Sequence, residues 1–239
     1  MTEQPGLAAA RGVATPARRG PKPAHSVEEI VQVALRLADA DGIEAVSLPR
    51  IAGQIGVTAN ALYRYVSSKD ELLLLLHDAG FGRAPRFPAG ADWRGVATEW
   101  VQAIIARYRQ HPWLLDLLVR GAPVTPHLRQ WAEALLDGLA DSALRNDDKL
   151  GCAVLLDGYA RSTAVMARDL AASQRSPVQS QAVSAVLQPM LRNRGFPILA
   201  EMLATGEYRD SRDELADFGL DRILDGIDVL IQRRRHRRT

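Results

Sequence analysis

Gly56 parts two short stretches with helical spacing of apolar residues, LPRIAGQI at 48–55 and ANALYRYV at 59–66. Helices this short do not persist alone in water, where fewer than about 12 residues is marginal. Each must be held by packing, which Leu48, Ile51, Ala52 and Ile55 in the first and Leu62 and Val66 in the second can supply. Two helices, over about 47–55 and 58–65, joined by a tight turn at Gly56 and Val57, make a helix-turn-helix. Ser47 and Thr58 stand at the cap positions, and Pro49 falls in a first turn, where its missing N–H costs nothing.

The flanks fit the same layout. SVEEIVQVALRLADADG opens with Ser26 and Glu29 spaced as a capping box, repeats Ile30, Val31, Ala34, Leu35 and Ala38 at helical spacing, and stops at Gly42. Ser68 with Glu71 predicts a second box opening KDELLLLLHDAGF. With Leu62 and Val66 inward, Thr58, Ala59, Asn60, Ala61, Tyr63, Arg64 and Tyr65 are left for the outer faces. Such a rim suits DNA: Arg64 for phosphate or a guanine edge, Asn60 for adenine, tyrosine hydroxyls for phosphate. Lys69 adds a phosphate contact at the N-terminus of the next helix. The alternative at this level is an ordinary corner packed with tyrosines.

Leu and Ala dominate and strand formers are scarce, so the fold class expected is all-α. The single Cys152 excludes a disulfide framework and a multi-cysteine metal cluster, and a reduced, cytoplasmic setting follows as the default. No N-terminal run has the flanks of a signal peptide, and Leu72 to Leu76 is far too short to span a bilayer, so no membrane partner is expected. Charge is segregated. Arg11, Arg18, Arg19 and Lys22 stand near one end, and Arg233, Arg234, Arg235, Arg237 and Arg238 near the other. With 30 Lys+Arg against 28 Asp+Glu in all, the stretch between is net acidic. Residues 1–25 read as a flexible basic arm and 234–239 as a basic tail, the latter for a polyanion or simply for solubility.

The stretch ALRLADADGIEAVSLPRIAGQIGVTANALYRYVSSKDELL, within 26–82, resembles the DNA-binding domain of the TetR/AcrR family of transcriptional repressors. HPWLLDLLVRGAP and FGLDRILDGIDVLI are similar to the tetracycline-repressor type of C-terminal domain. The resemblance implies a three-helix head followed by a larger helical ligand-binding and dimerisation domain over 90–233. It puts Thr58, Ala59, Asn60, Ala61, Tyr63, Arg64, Tyr65 and Lys69 where the family touches DNA. Pro49 departs from the polar residue many relatives carry there, and Arg50 beside it can substitute. The head's many carboxylates make it a poor polyanion binder alone, so Arg18, Arg19 and Lys22 are expected to supply charge along the backbone or in the minor groove.

Beyond Asp92 the helical spacing continues, through about 92–110, Trp113 to Val119, 126–144, 147–172 and 211–233, with no credible strand. Gly151 and Gly158 lie seven apart, as do Gly219 and Gly226, so each pair marks one helix face. Close helix approach would offset the cost of glycine there. These faces, with Ile223, Ile227 and Leu230, are read as the homodimer interface, a four-helix bundle of two helices per subunit as in this family. The alternative is that the glycines pack within one subunit. Trp100, Ile104, Tyr108, His111, Trp113, His127, Trp131 and Arg161 supply rings and a few polar groups, the makeup of a small-molecule pocket, though each tryptophan alone could be core.

No Ser/His/Asp or Cys/His set and no metal-ligand spacing of the histidines occurs in a recognisable context, so no catalytic residue, enzyme activity or metal is expected. Residues 118–124 lack the His-Thr-Arg-Pro pattern with which tetracycline repressors hold drug and magnesium, and no cofactor is carried over. The expected function is a ligand-responsive regulator, a repressor, binding pseudo-palindromic double-stranded operator DNA as a homodimer and released by a small, largely apolar effector. The alternative is a DNA-binding regulator or architectural protein without an inducer.

Overall fold

The computed structural model describes residues 25–88, 90–117, 125–173, 187, 189–205 and 212–237. Arg18, Arg19 and Lys22 lie outside the described residues. Among the described residues there are helices and turns and no strand. The chain runs α1 (Val27–Asp41), a 3₁₀ turn (Ile43–Ala45), α2 (Leu48–Ile55), α3 (Ala59–Leu62), α4 (Lys69–Phe81) and α5 (Trp93–Gln110). A second 3₁₀ turn (Pro112–Asp116), α6 (Pro126–Gly138), α7 (Asn146–Ser173), α8 (Pro197–Thr205) and α9 (Arg212–His236) follow.

The head is knit by the residues whose spacing marked them. Ile30, Ala34, Ile51, Leu62, Val66, Leu72 and Leu76 are all buried in one cluster. Gly56 adopts φ 74°, ψ 30°, the left-handed region that a side chain disfavours, and the Val57 N–H closes onto the Ala52 carbonyl at 3.0 Å. α3 is shorter than the spacing suggested. After Leu62 the backbone tightens into i→i−3 bonds, Arg64 to Ala61 at 3.3 Å and Tyr65 to Leu62 at 2.9 Å, so Tyr63 to Tyr65 ride on turns.

The capping boxes form only by half. Ser26 accepts from the Glu29 amide at 3.1 Å, but the Glu29 carboxylate turns to His25 Nδ1 at 3.0 Å. Ser68 likewise accepts from Glu71, while the Glu71 carboxylate takes the Ser67 amide one residue too early. Ser47 and Thr58 occupy cap positions without a side-chain capping bond. The expected helix from Trp113 is a 3₁₀ turn ending at Asp116, and 118–124 lie outside the described residues. α6 stops at Gly138 and not 144, because the chain turns through Leu139 to Asp141 with the Ala140 amide on Asp137.

The core beyond the head centres on α5 against α7, with α6, the second 3₁₀ turn and α9 around them. Leu135, Leu139, Leu156, Ala160, Leu224 and Ile231 are fully or almost fully buried here. α4 belongs to both halves, packing on α1 on one side and on α5 and α6 on the other.

Candidate nucleic-acid interface and effector core

The turn after Val57 presents a projecting rim. Tyr63 is 56% exposed, and Thr58, Asn60, Arg64 and Lys69 also face outward. Ala59, Ala61 and Tyr65 are half-buried, and Ala59 and Tyr65 pack on the head core, so these two brace the rim. Arg50 is exposed but held by Asp41 at 2.5 Å. Several carboxylates that seemed adverse to DNA are thus committed within the protein: Asp41 to Arg50, Asp39 and Asp78 to the core.

Two carboxylates that sequence reasoning treated only as charge prove to join head and core. Asp39, near the end of α1, accepts from Trp113 Nε1 and pairs with His111 Nδ1 through one oxygen, each at 2.7 Å. Asp78 on α4 caps the N-terminus of α6 from outside it: one oxygen accepts the amides of His127 at 3.0 Å and Leu128 at 3.2 Å, while the other lies 3.0 Å from His127 Nδ1. Thr125, the residue in the cap position, has its hydroxyl buried with no partner among the described residues. Gly80 completes the junction, since a Cβ there would stand 2.8 Å from the Trp113 ring and 3.0 Å from Leu114. The only local signal for this coupling was a polar pair, His77-Asp78, inside an otherwise leucine-rich helix.

Of the eight residues expected around an effector, Tyr108, Trp131 and Trp100 are brought together through Phe81, while His111, Trp113 and His127 point their polar groups to the carboxylates of the junction. Trp100, Ile104, Trp113 and Trp131 are buried. Trp100 Nε1 donates to the Trp131 carbonyl at 2.8 Å and Trp131 Nε1 to Gly82 at 3.0 Å. With His111 and Trp113 on Asp39, these polar groups serve the protein itself. His127 is likewise engaged at the Asp78 cap. Tyr108 and Arg161 do come together, the guanidinium 6.0 Å from the ring centroid and bonded to the Leu115 carbonyl. Burial and the nearby Asp157 push the Tyr108 hydroxyl above its ordinary pKa, against the pull of Arg161.

A residue that sequence reasoning missed sits beside them. His77 is 7% exposed, its Nδ1 has no partner among the described residues, and burial, reinforced by Arg161 and opposed by Asp78, lowers its pKa to about 4. Its ring lies 5.0 Å from Phe81, which meets Tyr108 edge-on at 5.5 Å.

The expected dimer residues divide between two faces. A Cβ at Gly151, Gly158 or Gly226 would meet nothing, so these glycines look outward. Gly219 does not: its Cβ would stand 2.7 Å from the Tyr159 hydroxyl of the same subunit. Ile227 is buried within the subunit, and Ile223 and Leu230 are half-buried against its core. The outward face is carried instead by Leu150, Val154, Leu155 and Met166 on α7 and Phe218 and Val229 on α9, all exposed.

The arginine run sits far from the head. Arg234 holds Asp148 with two bonds of 2.8 Å at the start of α7, while Arg168, near its other end, holds Asp116 at 2.7 Å close to the Asp39 junction. Twenty residues of helix at about 1.5 Å each put some 30 Å between them. Among the described residues no cluster of three or more His, Cys, Asp or Glu could hold a metal ion, and no helix is long and apolar enough to cross a membrane.

Comparison with known proteins decides the family. Residues 30–76 match the profile of bacterial regulatory proteins of the tetR family, and 84–231 match the tetracyclin repressor-like C-terminal domain. This chain belongs to the TetR family of transcriptional regulators. It is 30% identical over 230 residues to the HTH-type transcriptional repressor DrrR1 of Streptomyces coeruleorubidus, covering 91% of this chain and 82% of that one. Its fold is similar to that of apo ActR from Streptomyces coelicolor, with a TM-score of 0.72 at 21% identity over 87% of this chain and 97% of that one. ActR in complex with actinorhodin gives 0.71 at 22% identity over 87% and 99%. The TetR-family match covers both halves of the chain, the head with its projecting rim and the helical core.

Proposed function

We propose that this TetR-family chain is a repressor that reads pseudo-palindromic operator DNA as a homodimer and is released by a small, largely apolar effector. The observation that carries the reading is the outward rim of Asn60, Tyr63, Arg64 and Lys69 on a turn braced by the buried Leu62 and Val66. Asn60 and Arg64 read base edges, while Thr58, Tyr63 and Lys69 hold phosphates. Arg50 joins them only by leaving Asp41. Arg18, Arg19 and Lys22 add charge along the backbone, so removing residues 1–22 lowers both affinity and the slope of affinity against salt.

The exposed apolar face of α7 and α9 supports the homodimer. Its outward glycines let a second copy approach closely, and covering Val154, Leu155 and Met166 removes them from water. Two heads then meet successive major grooves, roughly 34–36 Å apart. DrrR1 is a repressor by name and ActR is seen with actinorhodin, which supports both repression and a small-molecule effector.

The test is selection of bound DNA from a random pool, followed by titration of the selected duplex. A symmetric consensus bound by two chains is the expected result. An asymmetric site bound by one chain, or uniform binding to all sequences, refutes it. Release by an effector further requires reciprocity: operator DNA must weaken effector binding by the same factor as the effector weakens operator binding.

A further inference from the structure

We propose that His77 is the polar anchor of the effector site, its Nδ1 taking a hydrogen bond with the hydroxyl of a neutral, ring-bearing ligand seated among Phe81, Tyr108 and Arg161. This rests on the effector reading above and assigns that site a residue and a ligand class.

Polar atoms inside a protein nearly always find a partner, so each exception asks for one. Among the described residues two side chains leave a buried polar atom unpaired, His77 at Nδ1 and Thr125 at Oγ1. Both belong to the junction of α4 with α6. His77 precedes Asp78, and Thr125 leads into the helix start that Asp78 caps. At Thr125 the amides its hydroxyl would cap go to Asp78, and among the described residues no rings gather around it as they do around His77.

What surrounds His77 narrows the partner. Phe81 lies 5.0 Å from it, Phe81 meets Tyr108 at 5.5 Å, and Arg161 lies over Tyr108. Rings and a guanidinium face favour a flat aromatic guest. Arg161 is opposed by Asp157 one turn before it on α7, and Asp78 on α4 is spent on the α6 cap, so no unopposed charge selects an anion or a cation. A neutral imidazole shows Nδ1 either a proton or a lone pair, and a hydroxyl answers both. Burial keeps this imidazole neutral well below physiological pH.

The test compares two isosteric probes, 2-naphthol and 2-methylnaphthalene, by fluorescence titration of the full chain at neutral pH. The wild type should prefer the naphthol by on the order of tenfold, the gain from satisfying a buried polar atom. H77F should lose that preference, with its fold checked by circular dichroism and by its binding to the operator duplex. Equal affinity of the wild type for both probes, a preference that survives H77F, or failure of both probes to bind overturns the proposal. The same samples carry a labelled operator duplex. Naphthol that binds with the expected preference yet leaves the duplex bound supports the site and refutes its role in release.

Discussion

Acid should weaken the junction between head and core through one group. The buried imidazole of His77 titrates at about 4 instead of 6.5, because burial and Arg161 oppose its charge more than Asp78 favours it. Between those values the unfolded chain holds a proton that the folded chain refuses, so folding loses ground as the pH falls. The stability at stake is fully present above the unfolded pKa and declines as pH drops toward the folded one. Linkage puts the loss at about 2 kcal/mol between about pH 7 and about pH 5. At fixed protein concentration that is a fall in Tm of about 4–8 °C for a chain of this size. Other groups titrate in the same range, so the assay is a difference: urea or thermal unfolding of wild type and H77F at both pH values. H77F should be no less stable at about pH 7, since it removes an unpartnered buried polar atom, and should lack the extra acid loss. R161Q should shrink the wild-type effect by letting the imidazole accept its proton earlier. Parallel losses in wild type and H77F would refute the reasoning.

Four further outcomes follow from the geometry. G80A should destabilise by about 1–3 kcal/mol despite the helical gain of alanine, because its methyl meets buried Trp113 at 2.8 Å; a raised Tm contradicts this. V154D, on a residue 74% exposed in one subunit, should leave the monomer folded but weaken dimerisation by on the order of 100-fold in sedimentation, since a charge would be buried between copies; unchanged dimers place the interface elsewhere. K69A should weaken binding to all DNA sequences alike and reduce the salt slope by about one, a slope measured by fluorescence anisotropy. D41N should release Arg50 and tighten non-specific DNA binding with a steeper salt dependence, and an unchanged slope means that Arg50 does not face phosphate.

The head was legible because its signals are local. Gly56, the caps and the apolar spacing of α1, α2 and α4 each act within a few residues, and the helices formed where that spacing put them. The recognition helix was overextended because Leu62 to Val66 keep helical spacing while the amides of Arg64 and Tyr65 bond to i−3, a difference in bonding that spacing does not encode. Function beyond the head was legible only as an inventory. That Tyr108 and Arg161 meet, while Trp100 and Trp131 spend their N–H groups on backbone carbonyls, depends on contacts across 31 to 53 residues of chain. The same holds for Gly219. It shares a helix and a spacing with Gly226, yet Tyr159 from α7 fills the space before one and leaves the other open.

Asp39 and Asp78 change how a signal could cross this molecule. A head tied to its core only by chain connectivity would turn freely on α4, and an effector in the core would have nothing to pull against. Here α1 is strapped to the residues after α5 and α4 to the start of α6, by carboxylates that would leave buried donors unpaired if they let go. Each lost bond of this kind costs about 1–3 kcal/mol, the size of a typical coupling between two sites. The straps therefore oppose a free swing of the head about α4. His77 stands one residue from the second strap, on the helix that joins head to core, which is where the effector proposed above would have to act.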